Sequence, residues 1–239
     1  MKKHLLVIFL VAVLLGGVYL VGQSSTSKKT ATSDKSNSKQ QPTNSFNKKL
    51  YSLSDPNSLW LVVNKKRPLR PMDYAPTDLI DVGNGQTLRK AAGQNLANLL
   101  EAAKAAGYTL TVDSGYRSYA IQQDVYRNEV KGFGQAYADS ESARPGYSEH
   151  QTGWAVDVGT AGCHLDDCFG NTPAGKWLEA NAYRYGFLRR YPADKASVTG
   201  FRNEAWHFRY VGTELATEMH KRGTKTLEEF FGLPAAPNY

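Results

Sequence analysis

The first fifty residues change character twice, and this confines any packed domain to the chain beyond them. Lys2 and Lys3 precede an apolar run at residues 5–22, LLVIFLVAVLLGGVYLVG. At 18 residues the run is longer than the core of most export signals and shorter than most bilayer spans. A basic flank is retained on the inner side, which puts residues 23–239 outside the membrane. No cysteine follows directly on the run, so a lipid anchor is not expected, and Gly22-Gln23-Ser24 is the nearest small-residue region for cleavage. The expectation for residues 1–22 is a signal peptide or, with some preference, an uncleaved N-terminal membrane anchor. The protein is then expected at the extracellular face of the cytoplasmic membrane or in the cell wall, or secreted if the leader is cleaved.

Residues 23–50 are dominated by Ser, Thr, Lys, Asn and Gln. Such a segment buries too little apolar surface to offset its ordering entropy and is expected to be a disordered linker. Residues 1–50 hold eight lysines and one acid, whereas residues 51–239 hold 21 basic and 21 acidic residues. The net charge of +7 therefore sits entirely in the leader and linker. A neutral domain is a poor phosphate reader, so no nucleic-acid partner is expected. The domain is read as residues 51–239, long enough for a hydrophobic core and expected to be monomeric.

Within it, residues 87–106 repeat apolar positions at helical spacing and Gly107 supplies a stop. Residues 108–112 read as a strand. Ser118 is placed to cap a helix running to about Val130, and residues 131–147, rich in Gly, Ala and Ser, read as a loop. Short strands are expected at 155–158, 187–191 and 206–211. Helices are expected from Thr172-Pro173 to Gly186, at 213–222 and at 226–231. Helices and strands mix without regular alternation, which predicts an α+β fold with a small central antiparallel sheet flanked by helices. Cys163 and Cys168, in CHLDDC, form an even pair in an exported chain, which favours a disulfide. The alternative is a second metal site that uses Cys163, His164, Asp166, Asp167 and Cys168.

Two segments concentrate chemistry. SEHQTGWAVDVG gives His150 and, seven residues on, Asp157. NEAWHF gives Glu204 and, three residues on, His207. Two imidazoles and a carboxylate are a three-ligand set for zinc, and a spare carboxylate beside the open position is the usual general base of a metallohydrolase. On a regular strand Glu204 and His207 point to opposite faces, so a bend at Ala205 is needed to bring them together. Spacing alone leaves open that His150 and His207 are ordinary polar residues and Glu204 a solvated acid.

Four motifs, in order, carry a resemblance. LVVNKKRPL (61–69) with DYAPTDL after it, SGYRS (114–118), S-x-H-x-x-G-x-A-x-D (148–157) and E-x-W-H (204–207) resemble the VanY-type D-alanyl-D-alanine carboxypeptidases. These are zinc peptidases that cleave peptidoglycan stem peptides. The resemblance implies a single zinc peptidase domain with His150, Asp157 and His207 as metal ligands and Zn2+ as cofactor. It implies Glu204 as the general base and Arg117 as a cation near the scissile bond. Gln122 and Ser148 match positions near the terminal carboxylate of the substrate. The implied reaction removes the C-terminal D-Ala from pentapeptide stems. An L,D-carboxypeptidase acting on tetrapeptide stems and a non-catalytic cell-wall-binding module are the alternatives. His164 is expected to be exposed, and Trp154, Trp177 and Trp206 to form core or pocket wall.

Overall fold

The computed structural model describes residues 46–239. The leader read at 1–22 and the linker up to residue 45 lie outside the described residues. Phe46, inside the expected linker, is packed against the domain. Phe46 stacks on Trp60 with ring centroids 5.4 Å apart and meets the edge of Phe230 at 5.5 Å. One aromatic among polar neighbours is enough to dock because the domain offers it an aromatic bed. Among the described residues no helix is long and apolar enough to cross a membrane.

The fold is α+β. A short antiparallel hairpin, β1 (Leu79–Asp81) and β2 (Thr87–Arg89), leads into α1 (Lys90–Ala105). Next come β3 (Thr111–Ser114), α2 (Tyr119–Phe133) and α3 (Gln135–Glu141), then β4 (Ala155–Gly159), α4 (Cys168–Asn171) and α5 (Pro173–Asn181). The chain continues through β5 (Phe187–Tyr191), α6 (Ala196–Thr199), β6 (Glu204–Tyr210), α7 (Thr213–Arg222) and α8 (Leu227–Phe231). β3, β4, β6 and β5 form one four-stranded sheet in that order, with every neighbouring pair antiparallel.

The boundaries reflect local chemistry. Ser118 accepts a hydrogen bond from Ile121 N at the start of α2, Thr172 from Gly175 N at the start of α5, and Thr226 from Glu229 N at the start of α8. The helix expected from residue 87 starts three residues later. Asn84 and its flanking Gly83 and Gly85 all take positive φ, and this turn pairs residues 87–89 with 79–81 as a hairpin. The strand expected at 108–112 lies at Thr111–Ser114 instead, because Tyr108 packs beside Trp177 in the turn after α1. The loop expected at 131–147 contains α3, which Gly134 separates from α2 and which buries Ala138.

The main core lies between the sheet and α1 with α5. Ala92, Leu96 and Leu99 bury one stripe of α1 in a cluster with Val156, Phe187 and Phe208. A second cluster joins Trp60 and Val62 to Leu215, Met219 and Phe230 of the closing helices. Leu96 is fully buried, so Leu96→Ala should destabilise the protein by about 2–5 kcal/mol through lost transfer energy and a residual cavity. Equilibrium urea unfolding measures this as a lower midpoint with an unchanged slope.

Candidate active site

β4 and β6 are the two central strands, and Asp157 pairs directly with His207 across them. His150 reaches the same point from the 3-10 turn at Glu149–Thr152. Ser148 starts that turn, its Oγ accepting from His150 N at 3.3 Å, and Gly153 ends it with φ of +71°. Glu204 joins them through an irregularity in the sheet. Between the pairs Arg189–Phe208 and Tyr191–Glu204, one residue of β5, Arg190, faces three of β6, Ala205, Trp206 and His207. This is the bend required near Ala205, and it brings Glu204 Oε2 to 3.5 Å from His207 Nδ1.

His150 Nε2 lies 3.2 Å from Asp157 Oδ2, and His207 Nδ1 lies 3.1 Å from Asp157 Oδ1. One ligand atom from each of the three residues lies within 4.8 Å of the others, and all three residues are buried. Each imidazole is oriented from behind. His150 Nδ1 donates to Gly115 O at 2.7 Å, which leaves Nε2 facing the cluster. Gly115 is required there, since a Cβ would meet Thr87 O at 2.5 Å. His207 Nε2 meets Glu149 Oε2 at 3.4 Å, which leaves Nδ1 facing the cluster.

Glu149 is itself gripped. Its Oε1 accepts from Arg190 Nε and from Arg209 Nη1, each at 2.9 Å. Arg190 forks onto Glu228 at 2.9 and 2.6 Å, and Asn64 Nδ2 donates to the same carboxylate at 2.9 Å. Glu149, Arg190, Arg209 and Glu228 are all sealed from solvent. Sequence reading missed these four residues and Tyr191. The available signal was three arginines, Arg189, Arg190 and Arg209, inside expected strands, FLRRY and EAWHFRY.

The electrostatics describe a site short of positive charge. Burial pushes the Glu204 carboxyl up to about 8, against the opposing charge of His207. Burial disfavours a charged His207, but the carboxylates of Asp157 and Glu149 outweigh it and raise the imidazole to about 10. Burial also works against an ionised Asp157, and His150 and His207 hold it well below the usual carboxylate range. Asp157 Oδ1 is buried and finds no hydrogen bond of acceptable geometry. Two imidazoles and one carboxylate that converge on a point, with an orphaned carboxylate oxygen aimed there, fit a divalent cation and suit zinc in ligand type.

These groups form the floor of a cleft of roughly 350 Å³. Arg117 closes one end. Its Nη1 donates to Gln122 Oε1 at 2.8 Å and its Nη2 to Ser114 Oγ at 3.1 Å. Burial lowers its pKa, with Asp157 and Glu204 opposing. Among the described residues no carboxylate lies within salt-bridge distance of it, so the guanidinium is left for an incoming anion. Gln122 is fully buried. Its Nε2 donates to Ala143 O at 2.7 Å, and the next residue is clamped, with Arg144 forking onto Asp139 and Arg144 N donating to Tyr239 Oη at 2.7 Å. Ser148 lines the cleft as well as capping the turn.

Cys163 and Cys168 form a disulfide, so the alternative metal site on those residues is not built. The bridged loop places Leu165 on the cleft rim. His164 is exposed and pairs with Asp113 at 3.0 Å. Trp154 and Trp206 are buried, and Trp206 forms part of the cleft wall.

Such a floor, with a buried carboxylate beside a three-ligand cluster and an arginine at the end of the cleft, is that of a metallopeptidase that acts at a chain end. Comparison with known proteins narrows the class. Residues 85–213, more than half of the chain, match the family VanY, D-alanyl-D-alanine carboxypeptidase, and the chain belongs to that family. YodJ of Bacillus subtilis (strain 168), a carboxypeptidase candidate by name, is 39% identical over 226 residues, 86% of this chain and 82% of YodJ. The solved structure of the LD-carboxypeptidase LdcB is 40% identical, with a TM-score of 0.69 over 74% of this chain and 87% of LdcB. A mutant of the vancomycin-resistance D,D-pentapeptidase VanY, solved in complex with Zn(II), is 38% identical. Its TM-score is 0.63 over 71% of this chain and 97% of that one.

Burial alone would raise the Glu228 carboxyl, but Arg190 and Asn64 outweigh it and hold it below the ordinary glutamate value. A depressed carboxylate stabilises the fold above its unfolded pKa of about 4.3, and that contribution is lost as pH falls through this value toward the folded one. Glu228→Gln should therefore flatten the acid limb of the stability curve. It should also cost about 3–5 kcal/mol at neutral pH, because Arg190 loses half of its buried counter-charge. Urea unfolding across the acid range reads both effects.

Proposed function

We propose that this protein is a zinc-dependent D-alanyl-D-alanine carboxypeptidase that removes the C-terminal D-Ala from peptidoglycan pentapeptide stems. The observation that carries the reading is the convergence of His150, Asp157 and His207 on one point, with Glu204 beside it and an unpaired Arg117 at the end of the same cleft. His150 Nε2, Asp157 and His207 Nδ1 would hold the zinc. When bound, zinc supplies a Lewis acid and brings the pKa of water to about 7.

The residues of the chain do the rest. Arg117, aimed by Gln122 and Ser114, pairs with the substrate's terminal carboxylate or with charge that develops on the scissile carbonyl. Gln122 and Ser148 line the same cleft. Glu204 takes a proton from the attacking water and returns it to the leaving amine. Its buried setting keeps bulk water from competing for that proton. Glu149 fixes His207 from behind, and the carbonyl of Gly115 fixes His150.

The similarity to LdcB supports a second reading, L,D-carboxypeptidase action on tetrapeptide stems. The two readings share the floor of the cleft and differ in which stem peptide the outer walls accept. The apolar run at residues 5–22 supports attachment to the outer face of the cytoplasmic membrane, where a wall substrate is within reach.

Mass spectrometry of the full-length chain with pentapeptide and tetrapeptide stems, each with and without a chelator, separates the readings. The expected result is chelator-sensitive loss of one alanine from the pentapeptide. Loss from the tetrapeptide alone moves the assignment to the L,D class, and loss from neither removes it. Glu204→Ala should lower kcat by about 10²–10⁴-fold with zinc content unchanged. His150→Ala should lose the zinc, which elemental analysis of the purified protein reads directly.

A further inference from the structure

Tyr191 ends β5 and lies across the ladder from Glu204. It is only 6% exposed and lines the cleft. Its ring is held on several sides, 4.9 Å from the Phe201 ring, 4.8 Å from the His207 ring and 5.1 Å from the Arg190 guanidinium. The hydroxyl is different. Among the described residues no group hydrogen-bonds it, yet it is not one of the polar atoms sealed away without a partner. It therefore opens onto the cleft. A tyrosine this deeply buried ordinarily has a partner for its hydroxyl, and phenylalanine would meet the packing needs equally well.

The order of the sheet says what the hydroxyl faces. Arg117 lies just after β3 at one edge, Tyr191 closes β5 at the other, and Asp157 and His207 lie on the two strands between. A stem peptide that places its terminal carboxylate at Arg117 therefore runs across the cluster toward the β5 edge. The residues on the amino-terminal side of the cleaved bond arrive at Tyr191. We propose that Tyr191 is a further substrate-binding residue whose Oη donates a hydrogen bond to a main-chain carbonyl on that side of the cleaved bond. This rests on the peptidase reading above. A phenol is protonated at neutral pH and is a competent donor.

Isothermal titration calorimetry on the full-length, zinc-loaded chain tests it, with Glu204→Ala as the background that prevents turnover. Adding Tyr191→Phe should weaken binding of a pentapeptide stem by about three- to tenfold, the range of one neutral hydrogen bond. Binding of free D-alanine, which occupies the Arg117 end, should not change. Zinc content and thermal midpoint should also hold, since the ring and its contacts remain. In the otherwise unaltered enzyme, Tyr191→Phe should lower kcat/KM by at least the same factor. Equal pentapeptide affinity in the two proteins overturns the assignment. So does a parallel loss of D-alanine affinity, which would put Tyr191 at the carboxylate end, or a loss of zinc, which would make its role structural. If the unaltered chain hydrolyses no stem peptide while the difference in affinity persists, the peptidase reading fails and Tyr191 stands as a peptide-binding residue.

Discussion

The site depends on a buried carboxylate held between two arginines. Glu149 accepts from Arg190 and Arg209 on one oxygen and meets His207 with the other. A lone carboxylate could not remain ionised at this depth, because burial opposes the charge. Two guanidiniums overcome that penalty, Glu228 in turn satisfies Arg190, and Asn64 donates to Glu228. The result is a chain of charge that runs from the segment near residue 64, through β5 and β6, to the back of one imidazole. It fixes which nitrogen of His207 faces the cluster, and so fixes the direction from which a cation is approached. A neutral side chain in place of Glu149 would leave two buried arginines short of a partner and one imidazole free to turn.

The front of the site obeys the opposite logic. Behind the cluster every charge is paired, while in the cleft Arg117 and the Tyr191 hydroxyl are left without protein partners of their own kind. Arg117 is still not free to wander. Gln122 holds it, Ala143 O holds Gln122, and the fork from Arg144 to Asp139 together with Tyr239 holds that loop. Unmet bonding capacity at rigidly held positions is what a substrate carboxylate and a substrate carbonyl can use. The cleft reads as preorganised on both sides of the cluster of His150, Asp157 and His207.

Much of this was legible in the sequence because the signals are local. The caps Ser118 and Thr172, the strands FLRRY and AVDVG, and the order of His150, Asp157, Glu204 and His207 all state their roles within a few residues. The paired cysteines were legible for the same reason. Errors fell where a distant partner decided the outcome. Residues 87–89 have helical spacing but pair with 79–81 once the glycine-rich turn closes. Phe46 sits in a linker-like segment but finds Trp60 and Phe230. Gln122 lies on a polar helix yet is fully buried, because the loop after α3 folds over it.

By itself the sequence determined the types of side chain in the candidate site, their order along the chain and the need for a bend between Glu204 and His207, because residue chemistry and strand alternation depend only on neighbours. Only the tertiary structure decided that the bend is a mismatch of one residue against three between β5 and β6. It alone placed Glu149, Arg190, Arg209 and Glu228 in one sealed network, and Arg117 and Tyr191 at opposite edges of the sheet. Those outcomes rest on desolvation and register between segments far apart in the chain. A buried arginine and a solvated one have the same letter, and only the packing around them tells which charge must be paired and which is left for a ligand.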